Sequence, residues 1–291
     1  MSKILVMGGT SYDTIIKLKK NPILKGTFFA EDSYERCGST GTTKAVALKK
    51  LGADVTLYSR LGRDFAGDQI KAYLTHNKVP FVTDEIESGT ERHINLLDES
   101  GDRISIFLPQ APVSIGLDEL RLKALIVESD IIVLNIMDYN LPFIPLLKEK
   151  EVWTDLHDYL DMDPYYNPFI EASQFVFLSS DRLMDYRSTL KKLGRGGKMV
   201  VVTHGKEGST AYWENRFYEQ SAHDFTLVDS DGAGDNYFSG FLVEYLKKRN
   251  LERSLMTASV CGGLAIETKE LVPESLNYDM LERIMIQKGI R

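Results

Sequence analysis

Six short apolar runs, each emptying into a polar loop, restrict the fold of this chain more than any other feature. They span residues 4–7, 54–62, 130–135, 151–155, 174–178 and 198–203. Each is shorter than an ordinary helix and apolar through most of its length, so each reads as a strand buried on both faces. Helical stretches separate most of them. Strands alternating with helices predict an α/β fold, a doubly wound and mostly parallel sheet with both faces covered. At 291 residues, 43% of them hydrophobic, there is chain enough for one large core and a small appendage, expected as a single domain over 1–291.

Other strand-like segments stand outside that alternation. Residues 28–37 mix apolar and polar side chains, and residues 92–97 and 103–107 flank Asp98-Glu99-Ser100-Gly101-Asp102, a hairpin-turn composition. They predict a small separate sheet built from about 12–37 and 88–110. Composition also excludes some function classes. A net charge of −7 argues against a protein that grips nucleic acid by neutralising phosphates. Cys37 and Cys261 are far apart and lack zinc-site company, so free thiols in a reducing compartment, the cytoplasm, are expected. Neither a secretory leader nor an apolar run near membrane-spanning length is present, so no membrane partner is expected.

The chemistry concentrates at Val228-Asp229-Ser230-Asp231-Gly232-Ala233-Gly234-Asp235. Three small residues precede an amphipathic run, so bare amides can gather round an anion where a helix N-terminus favours negative charge. Asp235 at the helix entrance is placed to take a proton from an incoming hydroxyl. Donors for developing charge and one base for the nucleophile are what phosphoryl transfer requires. A turn rich in Gly and Asp, with Asp as a helix cap, is the structural alternative.

This stretch resembles the D-T-x-G-A-G-D signature of the ribokinase-like (PfkB) carbohydrate kinases, with Ser230 in place of Thr. The resemblance implies an ATP-dependent kinase acting on an alcohol of a sugar or related small molecule, with Mg2+ and, in some members, a monovalent cation such as K+ near Asp229 and Asp231. It implies that Asp235 is the base and that the amides of Gly232, Ala233 and Gly234 form the anion hole. The small sheet becomes a lid over the sugar, which keeps water from the phosphoryl group, and in some members a dimer clasp. Asp13 matches the family's sugar-binding Asp; a turn Asp is the alternative. Gly38-Ser39-Thr40-Gly41-Thr42-Thr43 resembles the family's first signature, with Ser39 at its second Gly and Thr43 at its Asn, and leads into a helix with an apolar face of Ala45, Leu48 and Leu51.

On the nucleotide side, Thr203-His204-Gly205-Lys206-Glu207-Gly208 resembles the family's T-x-G-x-x-G loop, placing Thr203, Gly205 and Gly208 near phosphates; a hairpin turn is the alternative. Ser259, in a helix of small residues, falls where a polar residue meets the nucleotide, while tight helix packing accounts equally for Cys261 and Gly262. The family's Asn-x-x-Glu is replaced by Ser179-Ser180-Asp181-Arg182, which leaves Asp181, Asp158 or the nucleotide alone to organise magnesium. Asp155, His157 and Asp158 form a second titratable cluster. Gly194-Arg195-Gly196-Gly197-Lys198 fails the P-loop spacing. Two further readings stand beside the sugar kinase: a nucleoside kinase with Phe28, Phe29 or Phe107 stacking on a base, and a catalytically silent sugar or nucleotide sensor.

Overall fold

All six apolar runs lie in one nine-stranded sheet, and they carry little polar character because helices cover both of its faces. The computed structural model describes residues 2–20, 26–99, 103–108, 119–287 and 289. In chain order these form β1 (Lys3–Met7), β2 (Ser11–Lys17), β3 (Asp32–Gly38), α1 (Thr40–Lys50), β4 (Asp54–Leu61), α2 (Phe65–His76), β5 (Phe81–Glu85), β6 (His93–Leu97), β7 (Arg103–Phe107), α3 (Glu119–Glu128) and β8 (Ile131–Asn135). There follow β9 (Glu151–Asp155), α4 (Asn167–Ala172), β10 (Phe175–Ser179), α5 (Tyr186–Leu193), β11 (Met199–Thr203), β12 (Ser209–Trp213), β13 (Arg216–Gln220), α6 (Ala233–Lys248), α7 (Leu251–Ile266) and α8 (Tyr278–Gln287).

The large sheet runs β13-β12-β11-β10-β9-β8-β1-β4-β5. From β11 to β5 every pairing is parallel, while β12 and β13 add an antiparallel hairpin at one edge. Alternate side chains divide the core in two. Val6, Trp153, Phe177 and Val201 pack toward α1, α6 and α7, and Leu5, Leu134, Val176 and Val200 toward α3, α4 and α5. The strand order reverses between β1 and β8, which opens a crevice at their carboxyl ends where α/β folds collect ligands. Among the described residues no helix is long and apolar enough to cross a membrane.

The small sheet has the order β3-β2-β6-β7. Residues 11–13, expected in a loop at the end of β1, are instead the start of β2. The reason is legible after the fact: Ser11, Asp13 and Ile15 are the buried positions of β2, and two of the three are polar, so no apolar alternation marks the strand. Likewise β3 begins at Asp32, later than the alternation from Phe28 implied. The turn residues 100–102 and the lid's last residues, 109 and 110, lie outside the described residues.

Candidate active site

The site is assembled from four elements that meet over the β1/β8 crevice. Helix α1 comes close to the end of β1 because Gly41 sits against the Gly8-Gly9 backbone, where a side chain would collide. Thr42 N–H donates to the Gly9 carbonyl at 3.3 Å, fixing the approach. The C-terminus of α1 closes in a Schellman arrangement, with Gly52 at φ 87 and Ala53 N–H donating to Leu48 O. Ser39, just before α1, holds φ 68 and ψ 151, backbone that a glycine adopts freely and a serine only under strain. The family's second Gly therefore marks a conformation that this chain keeps despite the change of residue.

Across the crevice the lid turns a polar face inward. Asp13 is 3% exposed; its Oδ1 accepts from His93 N–H at 3.2 Å and faces His93 Nδ1 at 3.3 Å, and Asn95 Nδ2 reaches Oδ2 at 3.5 Å. Gly38 lies so close that a Cβ would overlap the Asp13 carboxylate. His93 Nε2 pairs with Glu91 at 2.7 Å. Burial opposes its charged form, yet hydrogen bonds to Asp13 and Glu91 push His93 up to about 9, so it is a cation at neutral pH. Below this layer two buried polar atoms, Ser11 Oγ and Asn135 Nδ2, have no hydrogen-bond partner among the described residues. Burial of unpaired donors is costly. The Thr43 hydroxyl donates to Ser39 O at 3.0 Å, and its methyl packs under Gly232.

Helix α6 brings the anion-binding end. Gly232 caps it at φ 81 with no side-chain cap, and a side chain at Gly232 would press on the Leu271 carbonyl. Asn236 Nδ2 ties that carbonyl and Gly232 O together at 2.7 and 2.8 Å. Ala233 N–H makes a long 3.3 Å turn bond to Ser230 O, whereas a Cβ built at Gly234 meets nothing within 4 Å. An uncapped N-terminus opening on free space fits the phosphates of ATP. Asp235 stands in the first turn, its Oδ1 accepting from Thr40 Oγ1 at 2.5 Å and from the ammonium of Lys44. Lys44 is fully buried and also reaches Asp155 Oδ2 at 2.9 Å. Burial lowers its proton affinity, but the Asp155 and Asp235 carboxylates more than offset that and hold Lys44 above the ordinary lysine range. Burial works against the Asp155 carboxylate too, and His157 and Lys44 keep it well below the usual carboxyl range.

Ahead of the helix, Asp229 and Asp231 face the lid. Arg36 donates to Asp229 Oδ2 at 3.2 Å and to Asp231 Oδ2 at 2.7 Å, and its Nη1 also contacts Lys269 O. Tyr34 donates to Asp229 Oδ2 at 2.9 Å, and Arg103 from β7 pairs with Asp231. Sequence reasoning missed Lys44, Arg36, Arg103 and His93. One signal was present: Lys44 shares the helical stripe of Leu48 and Leu51, at spacings of four and seven, and a charge on an apolar stripe implies a buried partner.

The expected nucleotide-side residues divide. Thr203 ends β11 with Gly205 and Gly208 in the following turn, where Gly208, at φ 110, is required because a side chain would strike the β13 carbonyl of Gln220. Lys206 is exposed. Ser259 lies on α7 and is not among the residues that line a cavity of about 490 Å³ near the end of that helix, which are Leu264, Glu267, Thr268, Pro273, Glu274, Ser275 and Met280. Cys261 and Gly262 serve helix packing, since Gly240 of α6 abuts Cys261 and Gly262 abuts Tyr237. Asp158 and Asp181 are both exposed. Among the described residues no group of three or more His, Cys, Asp or Glu side chains is placed to hold a metal.

A doubly wound sheet with a covering lid, a glycine-opened helix N-terminus and a carboxylate in its first turn supply the parts that phosphoryl transfer to a hydroxyl requires. The sequence profile of the pfkB family carbohydrate kinases matches residues 1–142 and 169–275, and the chain belongs to that family. It is 29% identical to an acarbose 7(IV)-phosphotransferase from Actinoplanes sp. over 90% of this chain and 91% of that protein. It is 24% identical to a nucleoside kinase from Methanocaldococcus jannaschii, over 92% of each. Among solved structures it is similar to a microbiome-derived acarbose kinase, with a TM-score of 0.86 and 25% identity over 98% of this chain and 99% of that one. The protein is a carbohydrate kinase that phosphorylates a sugar hydroxyl at the expense of ATP.

Proposed function

We propose that Asp235 is the general base of this kinase and that the N-terminus of α6 is its anion hole. The observation that carries this reading is the placement of the Asp235 carboxylate in the first turn of a helix with no side-chain cap, beside open space at Gly234. The acceptor O–H gives its proton to Asp235 as its oxygen bonds to the γ-phosphorus, and the bond to the bridging oxygen breaks to release ADP. Amides around Gly232, Ala233 and Gly234 stabilise the equatorial oxygens. Magnesium, carried by the nucleotide, neutralises phosphate charge when bound.

The acceptor is a polyhydroxylated carbohydrate of the acarbose type, gripped beneath the lid by Asp13, His93 and Asn95, with the backbone around Gly38 and Ser39 as its floor. The buried polar cluster of Asp13, His93 and Asn95 on the lid supports this. The adenine lies toward the cavity at the end of α7, with Thr203, Gly205 and Gly208 on the phosphate side. Buried thiols at Cys37 and Cys261, each raised to about 12 chiefly by burial, fit a cytoplasmic protein. Ile104, Ile106 and Phe107 on the exposed β7 support a homodimer through the lid. Light scattering that gives the mass of one chain would exclude it.

The test is ATP-to-ADP turnover with magnesium over acarbose, ribose, fructose, phosphorylated sugars, inositol and adenosine. One carbohydrate acceptor should turn over, and Asp235→Asn should lower kcat by about 10³-fold or more. Undiminished turnover in that variant would remove Asp235 from the mechanism; preference for adenosine would favour the nucleoside reading. Silence on every acceptor, with thermal stabilisation by a sugar, would return the sensor reading.

A further inference from the structure

We propose that Lys44 is a positioning residue for phosphoryl transfer: its ammonium, shared between Asp235 and Asp155, fixes Asp235 Oδ1 and leaves Oδ2 as the oxygen that takes the acceptor proton. The inference rests on the reading of Asp235 as the base. Three acceptors surround the three N–H donors of Lys44: Thr40 Oγ1, Asp155 Oδ2 and Asp235 Oδ1. The Thr40 hydroxyl donates onward to the same Asp235 Oδ1. Both contacts therefore fall on one oxygen, and the carboxylate plane is set. The stem of Lys44 has no solvent exposure, and its Nζ lies 4.9 Å from the centre of the Phe238 ring. With no water to compete, the ammonium cannot leave either carboxylate cheaply.

The charges around Asp235 come from several elements. Lys44 approaches from α1, and Asp155 with His157 from the end of β9, where His157 Nδ1 stands 3.6 Å from Asp155 Oδ2. On the side of the preceding loop, Asp231 is already neutralised by Arg36 and Arg103. One buried cation thus serves two carboxylates, and Asp155 competes with Asp235 for it. Removing Lys44 takes away the cation beside Asp235 and should favour the protonated carboxyl there. Removing the charge of Asp155 should do the opposite, because the ammonium then belongs to Asp235 alone.

The titration of the Asp235 carboxyl carbon, assigned by its loss in Asp235→Asn, reads this without turnover. In Lys44→Met the midpoint should rise by about one pH unit or more, and in Asp155→Asn it should fall. The acidic limb of the kcat/KM profile, recorded with the panel sugar that turns over fastest, should move in step. In Lys44→Met the fractional loss of activity should be greater on the acidic limb than at pH 8. Lys44→Arg, which keeps the charge, should hold the limb near its native position with a lower kcat. If Lys44→Met does not fold, Asp155→Asn decides alone. A midpoint and limb unmoved in the variants that fold, with Asp235→Asn inactive, would overturn the inference and leave the base reading standing. Full turnover in Asp235→Asn would overturn both.

Discussion

His93 shows how much one side chain can carry beneath a lid. Its ring lies 4.0 Å from that of Phe107 and touches both Asp13 and Glu91. Because its folded pKa, about 9, lies above the ordinary histidine value, the stabilisation it gives is complete below pH 6.5 and is lost as pH rises through 9. Urea unfolding should therefore show stability falling by about 1–3 kcal/mol between pH 6.5 and 9.5. His93→Gln should flatten that slope, and an equal slope in the variant would refute the assignment. The same residue explains a blind spot of sequence reading. In β6 the apolar Ile94 and Leu96 alternate with His93 and Asn95, and apolar patterning directs the former inward. The structure buries His93, Asn95 and Leu97 instead, because Asp13 on the neighbouring strand gives the two polar side chains a partner there.

Helix α6 owes the rigidity of its first turn to aromatic packing further along. Phe238, Phe241 and Tyr245 recur at spacings of three and four, and all three meet the edge of Trp153, which stacks on Phe175 at 3.8 Å. Trp153 is fully buried, so Trp153→Ala should cost about 3–5 kcal/mol, measured by chemical denaturation. It should also lower kcat through loosening of the turn that carries Asp235; unchanged stability would contradict this seating. Six of the nine strands of the large sheet were legible because burial on both faces writes itself as continuous apolar runs, whereas β5 and β13, partly exposed at the two edges, carry no such run. Helix α6 and its loop were legible because glycines and Asp235 stand in a specific order. By contrast β2 was hidden by its polar inner face. The roles of Arg36 and Arg103 were hidden for another reason: their partners lie far along the chain, and no local pattern encodes an ion pair that forms only when the lid meets the core.

In the molecule as a whole, lid and core are joined by charge as well as by chain. Arg36, Arg103, Tyr34 and Lys17 all reach from the lid strands to residues 228–231, just ahead of the anion-binding turn. With a guanidinium already on Asp229, Asp231 and the Lys269 carbonyl, the loop has its cation built in. We therefore expect turnover to be the same in potassium and in tetramethylammonium buffers; a severalfold stimulation by potassium would show that a monovalent ion competes for this place. The pairing within the lid has a different kind of consequence. Strands β2 and β6 lie side by side and parallel, with Thr14 opposite Ile94, so α1, β4, α2 and β5 must all be threaded between two neighbours. Closing so long a loop is entropically unrewarded until the intervening core is compact. The β2/β6 pairing is therefore expected to form after the sheet and helices between them, so that the protein's cover is the last of its surfaces to come into existence.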